Sequence, residues 1–366
     1  MQHPTITWND NGTPRSAPLV TGDAPAGEVV AVDERVRADT ALRLATRGTA
    51  LVWSGEARTA RHLLDALKRR LDRRPVREGI DAADTFRRHR QARAHRRRVL
   101  GALLVRVTSD VGAACREAFG TDDGLIALQD LLGAVAAYEW RRRGIDVLAL
   151  GGRIHPHYSV FAPTRQDYVD LVAAAPLPPG ASVVDVGTGT GVLAAVLACG
   201  GATPVTATDI NPRAVACARD NMARHGLDVR VEQSDLFPEG RADVIVCNPP
   251  WLPGTPTSPL EAGVFDRGSR MLTTFLRELP AHLSSGGEGW LVISDLAELL
   301  GLRSRDWLPE TITRAGLHIH ERRDAPRRQR TARAHDPLDA YRDAETVSLY
   351  RLRVRTRDTA ESNVRS

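Results

Sequence analysis

The chain has 366 residues, 42% apolar and 26% charged, with a formal net charge of +5. That length allows two domains with real cores, and no apolar run approaches the ~20 residues that a bilayer-spanning helix needs, so no membrane segment is expected. Lys68 is the only lysine, which makes the basic excess almost wholly arginine; an excess this small permits an anionic partner without requiring one.

Residues 1–35 are rich in Pro, Gly, Thr and Asp and show little periodicity, which predicts a loosely ordered arm. They carry no basic-then-apolar leader pattern, and the cytoplasm is the expected location. Residues 36–150 read as a mainly helical domain. Leu63, Leu64, Leu67 and Leu71 form one apolar stripe. The stretch FRRHRQARAHRRRVL (86–100) is polar nearly all round, and LGALLVRVTS (100–109) suits a strand. A further helix over 123–142 aligns Leu125, Leu128, Leu132 and Val135. The arginine-rich run 87–98 can follow a phosphate backbone or be a solvated helix face; it has no interleaved aromatic to stack bases.

The pattern changes near residue 150. After PLPPG (176–180), strand-like and helix-like segments alternate: 182–186, 192–199, 204–209, 212–225, 228–233, 243–248, 271–283 and 289–294. Such alternation predicts a mostly parallel α/β sheet covered by helices on both faces. A helix near 306–315 precedes LHIHERR and TVSLYRLRV, which read as a closing antiparallel pair; the tail 356–366 is expected to be disordered. Cys115, Cys199, Cys217 and Cys247 lack pair spacing, so neither a zinc site nor a disulfide framework is expected. His155 and His157 have no third ligand at matching spacing, and no metal is expected.

SVVDVGTGTGVLAAVLA (182–198) reads as a buried strand, a glycine turn and a helix. Gly187, Gly189 and Gly191 allow a sharp turn and a close approach to a ligand. The spacing is G-x-G-x-G, not the G-x-G-x-x-G of a dinucleotide site. Asp185 precedes the turn. Asp209 ends the next strand, where a carboxylate accepts ribose hydroxyls. Asn211 suits a helix N-cap, Pro212 the first helical position and Gly226 the stop. Asp235, in QSDLF, is placed to accept from an exocyclic amine, with Leu236 beside it.

These segments, with VIVCNPPW (244–251), resemble the class I S-adenosylmethionine-dependent methyltransferases in motif order and spacing over about 155–355. Within that class the chain is most similar to the amino-methylating branch with an (N/D)PP(Y/F/W) signature, the HemK/PrmC-type glutamine methyltransferases in particular. SVFAPTRQDYVDLV (159–172) resembles the segment before the glycine motif in those enzymes: Phe161 and Pro163 agree, while Thr164 and Asp167 depart. The resemblance implies a Rossmann-like catalytic domain over 151–355 that binds S-adenosylmethionine. It implies a cofactor set of Phe161, Pro163, Asp185, Gly187, Thr188, Gly189, Gly191, Asp209, Ile210, Asn211, Asp235, Leu236 and Asn248. Asn248, Pro249, Pro250 and Trp251 are then the catalytic segment.

Methyl transfer from a sulfonium has a neutral leaving group, so positioning carries most of the catalysis. An amide or aromatic amine is a poor nucleophile, and a site helps by accepting hydrogen bonds from both its N–H groups. Asn248 offers a side-chain oxygen and Pro249 a carbonyl on a restricted backbone; Trp251 offers a flat face. The expected activity is N-methylation of a planar nitrogen, a protein glutamine first, with a translation factor among the candidates. A ribosomal RNA or DNA base and a small molecule stay open as acceptors, and residues 36–150 are expected to recognise the substrate. In VFDRGSRML (264–272), Asp266 and Arg267 can contact substrate, but the favoured reading is that they stabilise a loop.

Overall fold

The computed structural model describes residues 3–22, 25, 27–73, 76–326 and 338–355. The chain divides into two compact units, Met1–Trp140 and Arg141–Ser366. The tail 356–366, expected to be disordered, lies outside the described residues.

The first unit differs from its expectation. Its strands are β1 (Thr5–Asp10), β2 (Thr13–Pro18), β3 (Val29–Val32), β4 (Ala50–Trp53), β5 (Leu103–Arg106) and β6 (Leu125–Ala127), with helices α1 (Ala38–Thr46), α2 (Ala57–Asp72), α3 (Ala82–Gly101), α4 (Gly112–Phe119) and α5 (Leu128–Arg143). The strands form one six-stranded sheet in the order β2-β1-β3-β4-β5-β6. Residues 1–35 are therefore not a loose arm, because β1 and β2 form a hairpin in which Asp10 pairs with Thr13. Its two-residue loop has Asn11 at φ 51° and Gly12 at φ 86°. Two left-handed residues match the strand twist, and Asn-Gly is the commonest pair for them. The domain also is not simply helical. VVAV and ALVW form β3 and β4, parallel neighbours, and short parallel strands read as apolar runs without period. Leu63, Leu64 and Leu67 of α2 do form the expected stripe and pack with Leu51, Trp53, Leu103 and Val105 of the sheet. Ala50, Val52 and Leu104 alternate with these and join Ile6 and Trp8 in a separate cluster.

The second unit starts with a short hairpin of β7 (Ile145–Val147) and β8 (Gly152–Ile154), followed by α6 (Asp167–Ala173). Then come β9 (Val183–Val186), α7 (Val192–Cys199), β10 (Val205–Asp209), α8 (Pro212–His225), β11 (Val229–Gln233) and β12 (Ala242–Cys247). Two-residue strands β13 (Leu252–Pro253) and β14 (Phe265–Asp266) pair with each other before α9 (Arg270–His282) and β15 (Leu283–Ser294). The unit ends with α10 (Leu296–Leu299), α11 (Trp307–Arg314), β16 (Leu317–Asp324), α12 (Asp339–Ala344) and β17 (Val347–Val354). The main sheet runs β11-β10-β9-β12-β15-β17-β16. Strands β9 to β12 and β15 are parallel, while β17 runs antiparallel between β15 and β16. This is the Rossmann-like sheet with its closing antiparallel pair.

Alternation along the strands builds two cores. Val244 and Val246 of β12 face one cluster with α6, α7 and α8. Ile245 and Cys247 face the other, with Leu272, Phe275, Leu276 and Leu279 of α9 and Ile312 of α11. Strands covered on both faces bring their C-terminal ends to one edge of the sheet, where open α/β folds hold ligands. Gly187, Asp209, Ser234 and Asn248 stand just beyond or at those ends.

Candidate functional site

A cavity of about 760 Å³ opens at that edge. The turn between β9 and α7 forms its floor, with Gly187, Gly189 and Gly191 all left-handed at φ +72°, +57° and +82°. A Cβ on Gly189 would meet nothing within 4 Å, so this residue faces open space. A Cβ on Gly191 would lie 2.8 Å from Met222 Cε and 3.2 Å from Ala218 Cβ. Gly191 therefore serves the close packing of α7 on α8, and it does not line the cavity.

Two carboxylates hold the turn. Asp185 is buried, and its Oδ2 accepts from Thr188 Oγ1 at 2.6 Å and from the Ala194 N–H at 3.1 Å. Burial pushes its carboxyl up to about 6; the two donors oppose that rise and nearby Asp209 adds to it. Asp209 ends β10. Its Oδ2 accepts from the Gly189 N–H at 3.0 Å and its Oδ1 from the Asn211 N–H at 2.9 Å. Burial raises this carboxyl as well, against both backbone donors. Each Asp209 oxygen keeps further acceptor capacity. Asn211 caps α8 by accepting from the Arg213 N–H at 3.0 Å, Pro212 takes the first helical position and Gly226 ends the helix at φ 62°. These capping roles match the sequence.

Asp185, Gly187, Thr188, Gly189, Asp209, Ile210 and Asn211 line the cavity together with Phe161, Asp235, Leu236, Asn248 and Pro250. Asp235 is exposed. Leu236 is left-handed at φ 74°, and its carbonyl accepts from Thr208 Oγ1 at 2.5 Å. A non-glycine residue held in that region stores strain, a common mark of functional loops. Pro163, Pro249 and Trp251 do not line the cavity, and both prolines are buried.

Trp251 departs furthest from its expected role. Its ring is half-buried and packs against both cores of the sheet. Its indole N–H donates to Asn248 Oδ1 at 2.9 Å. The Arg165 guanidinium stands 5.3 Å from its ring centroid, and its carbonyl accepts from Arg303 Nη2 at 2.9 Å. Arg165 thus covers one ring face, and the ring does not reach the cavity lining where a flat face for an acceptor was expected.

The outer wall was not foreseen as a unit. Pro256, Pro259, Leu260, Phe265, Asp266, Arg267, Arg270, Met271 and Arg277 come from the stretch between β13 and α9 and from α9 itself. Asp266 Oδ2 accepts from the Leu272 N–H at 3.3 Å, so it ties the start of α9 to its loop, as favoured from the sequence. Arg267 and Arg270 are exposed and have no ion pair among the described residues. The readable signal was RGSRM, a basic pair around a Gly-Ser turn just before an apolar helical stripe. His155 and His157 pack on α8: the His155 N–H donates to Asn221 Oδ1 at 2.8 Å, and His157 Nε2 lies 3.2 Å from Asp220. Among the described residues no group of side chains is arranged to hold a metal.

The family model of the methyltransferase small domain matches residues 151–300. Over 160 residues the chain is 31% identical to a Methanocaldococcus jannaschii protein named "Putative protein N5-glutamine methyltransferase", covering 42% of this chain and 80% of that relative. The chain belongs to the class I S-adenosylmethionine-dependent methyltransferases. It is also 41% identical over 109 residues to ribosomal RNA small subunit methyltransferase C of Enterobacter sp. (strain 638), covering 29% of each chain. It is 49% identical over 76 residues to the release factor glutamine methyltransferase of Deinococcus radiodurans, covering 19% of this chain and 27% of that one. The chain thus spans under a third of the length of these two relatives. A solved methyltransferase from Pyrococcus furiosus superposes with a TM-score of 0.39 at 20% identity, covering 60% of this chain and 96% of that one. As a class I methyltransferase the protein is an enzyme, and its family implies S-adenosylmethionine as methyl donor. The cavity fits that donor in size, and Gly187 and Gly189 leave two positions of its floor without a side chain.

Proposed function

We propose that this cavity binds S-adenosylmethionine and that the enzyme methylates the side-chain amide nitrogen of a protein glutamine in the cytoplasm. The observation that carries this reading is Asn248 on the cavity wall at the end of β12. The relative from M. jannaschii, of which the chain covers 80%, supports glutamine as the acceptor.

When bound, the cofactor supplies an electrophilic methyl group and a neutral thioether leaving group, so no strong base is needed at the acceptor. Asp209 accepts the ribose hydroxyls with the lone pairs that Gly189 and Asn211 leave free. Asp235 accepts from the adenine amine, with Ile210 and Leu236 against the ring. Phe161 adds an exposed apolar ring to the cavity wall. Asn248 Oδ1 keeps one lone pair beside the bond from Trp251 and accepts one N–H of the target amide. Pro249 is buried off the cavity lining, and its stiff diproline backbone holds Asn248 in place. An acceptor fixed on that nitrogen aims its lone pair at the methyl group, which is catalysis by orientation.

Translation factors are suitable protein acceptors. The arginine run of α3 lends little support to a nucleic-acid acceptor. Arg88 pairs with Asp84 at 2.9 Å, Arg97 lies 3.7 Å from Asp130, and Arg96 binds Asp72. Charges already neutralised release few counterions on a phosphate backbone. The test is transfer of labelled methyl groups from S-adenosylmethionine to lysate treated with RNase or with protease. Protease-sensitive label that hydrolyses to N5-methylglutamine is expected. Label lost to RNase instead would establish a base methyltransferase.

A further inference from the structure

An asparagine on a cavity wall has two ends of nearly equal size. Its terminal torsion is broad and roughly two-fold, so an unsupported side chain offers either its oxygen or its NH2 to the same position. Only the oxygen can accept an N–H from an acceptor amide; the NH2 would set donor against donor. Something must therefore select the orientation of Asn248.

The indole N–H of Trp251 can only donate, and it lies 2.9 Å from Asn248 Oδ1. With the amide reversed, that N–H would face the NH2 instead. Trp251 is held at three further points. Its carbonyl accepts from Arg303, its ring packs into both cores, and Arg165 sits over one ring face. Arg165 is itself pinned. Its Nε donates to Asp167 Oδ2 at 2.7 Å and its Nη1 to Glu345 Oε2 at 2.6 Å. The side chains of Asp167 and Glu345 are only 8% and 3% exposed, so neither partner can drift into water. Glu345 Oε1 in turn accepts from Ser294 Oγ at the end of β15. A series of contacts thus runs from the end of β15, the neighbour of β12, to the amide of Asn248.

We propose that Trp251 is a positioning residue, which with Arg165 behind it fixes the Asn248 side chain with its oxygen as the acceptor, and that it is not a stacking platform for the substrate. This rests on the role given to Asn248 under the proposed function. The platform alternative requires an exposed ring face on the cavity, and Trp251 is absent from its lining.

Trp251→Phe separates the two roles, because phenylalanine keeps a flat ring and loses the N–H. The assay is the initial rate of labelled methyl transfer to RNase-treated lysate protein at saturating protein, with calorimetry of S-adenosylmethionine binding and thermal unfolding alongside. Positioning predicts a rate lower by about tenfold or more, with cofactor affinity and half-saturating protein nearly unchanged. It also predicts no further loss from Trp251→Phe in an Asn248→Ala background, since the group being positioned is gone. Arg165→Lys, which keeps the charge but loses the planar fork, should lower the rate in the same sense and more weakly; should Trp251→Phe not fold, this variant carries the same cycle. A wild-type rate for Trp251→Phe overturns the proposal. So does a full additive loss in the Asn248→Ala background, which would mean a general packing role. If Asn248→Ala alone keeps the wild-type rate, the role of Asn248 has failed first, and the two failures are told apart by that variant.

Discussion

Two tryptophans mark the contrast between the units. In the first unit, β4 ends at Trp53 and α2 begins at Ala57. The Trp53 indole N–H reaches the Glu56 carbonyl at 3.1 Å and Thr59 Oγ1 at 3.2 Å, and a Cβ on Gly55 would lie 2.9 Å from that nitrogen. The loop folds onto its own strand end and leaves no room. In the second unit, β9 leads to α7 through left-handed glycines, and the carboxylates of Asp185 and Asp209 take up the turn's donors from below. The second unit's Trp251 follows a different strand, β12, and its indole is turned onto Asn248. Both units place helices after parallel strands. What separates a cavity from a filled turn is where glycine omits a side chain and which group satisfies the backbone.

The strongest way to sharpen this contrast is Asn248→Ala. Turnover should fall by about 10²–10³ with cofactor affinity unchanged, as for loss of a donor–acceptor contact made in the transition state; steady-state rates and calorimetry read the two quantities. Trp53→Phe, the matching change in the first unit, should leave turnover untouched. Next in size is Asp209→Ala. Losing a charged hydrogen-bond acceptor costs about 1.5–3 kcal/mol, roughly tenfold to a hundredfold in the affinity for S-adenosylmethionine. Unchanged affinity would remove Asp209 from the ribose role.

A third effect is on stability. The Asp185 carboxyl rises from 3.8 to about 6 on folding because it is buried. Between those values the folded state holds a proton that the unfolded chain has lost, so this group makes the protein less stable as pH rises through the window. Asp185→Asn, which can still accept from Thr188 and Ala194, should gain on the wild type by roughly 3 kcal/mol between pH 4 and 7. Urea unfolding of both proteins across that range measures it; a constant difference would mean Asp185 is ionised as readily as in water. The smallest effect tests charge. Replacing Arg267 and Arg270 with glutamine should change half-saturation by the acceptor severalfold, while replacing Arg93, Arg96, Arg97 and Arg98 should barely alter methyl transfer. A steep salt dependence lost with the second set would reverse that contrast.

The second unit was the more legible. From β9 to β12 each element carries its own signal: an apolar run, a glycine turn, an Asn-Pro helix start, an acidic strand end. The first unit was misread where signals are short. Asn11-Gly12 names a two-residue hairpin turn, but the polar strands around it hide the alternation, and VVAV alone does not choose between strand and helix. In the site, residue types were readable and directions were not. NPPW states that an indole follows the prolines. It cannot state that the ring turns inward, because that depends on Arg165, Arg303 and Glu345, contributed by distant parts of the chain. The outer wall likewise comes from a stretch whose prolines and arginines carry no periodicity.

Helix α9 passes into β15 with no residue between them, since His282 ends one and Leu283 begins the other. The slack lies just past that seam, where residues 284–287 bulge out of register with β12 and Gly286 is left-handed at φ 77°. The helix carries Arg270, Met271 and Arg277 on the cavity and is spliced to a central strand bonded on both sides. Beyond that bulge β15 is held by β12 from Glu288 and by β17 from Gly289, so the strand itself stays fixed. A second compliant stretch lies at the other end, where β13 and β14 are two residues each and Gly268 and Ser269 are both left-handed. Few backbone hydrogen bonds resist motion there. This wall of the cavity is thus a panel with give at both ends, at residues 254–269 and 284–287, hung on strands that stay fixed.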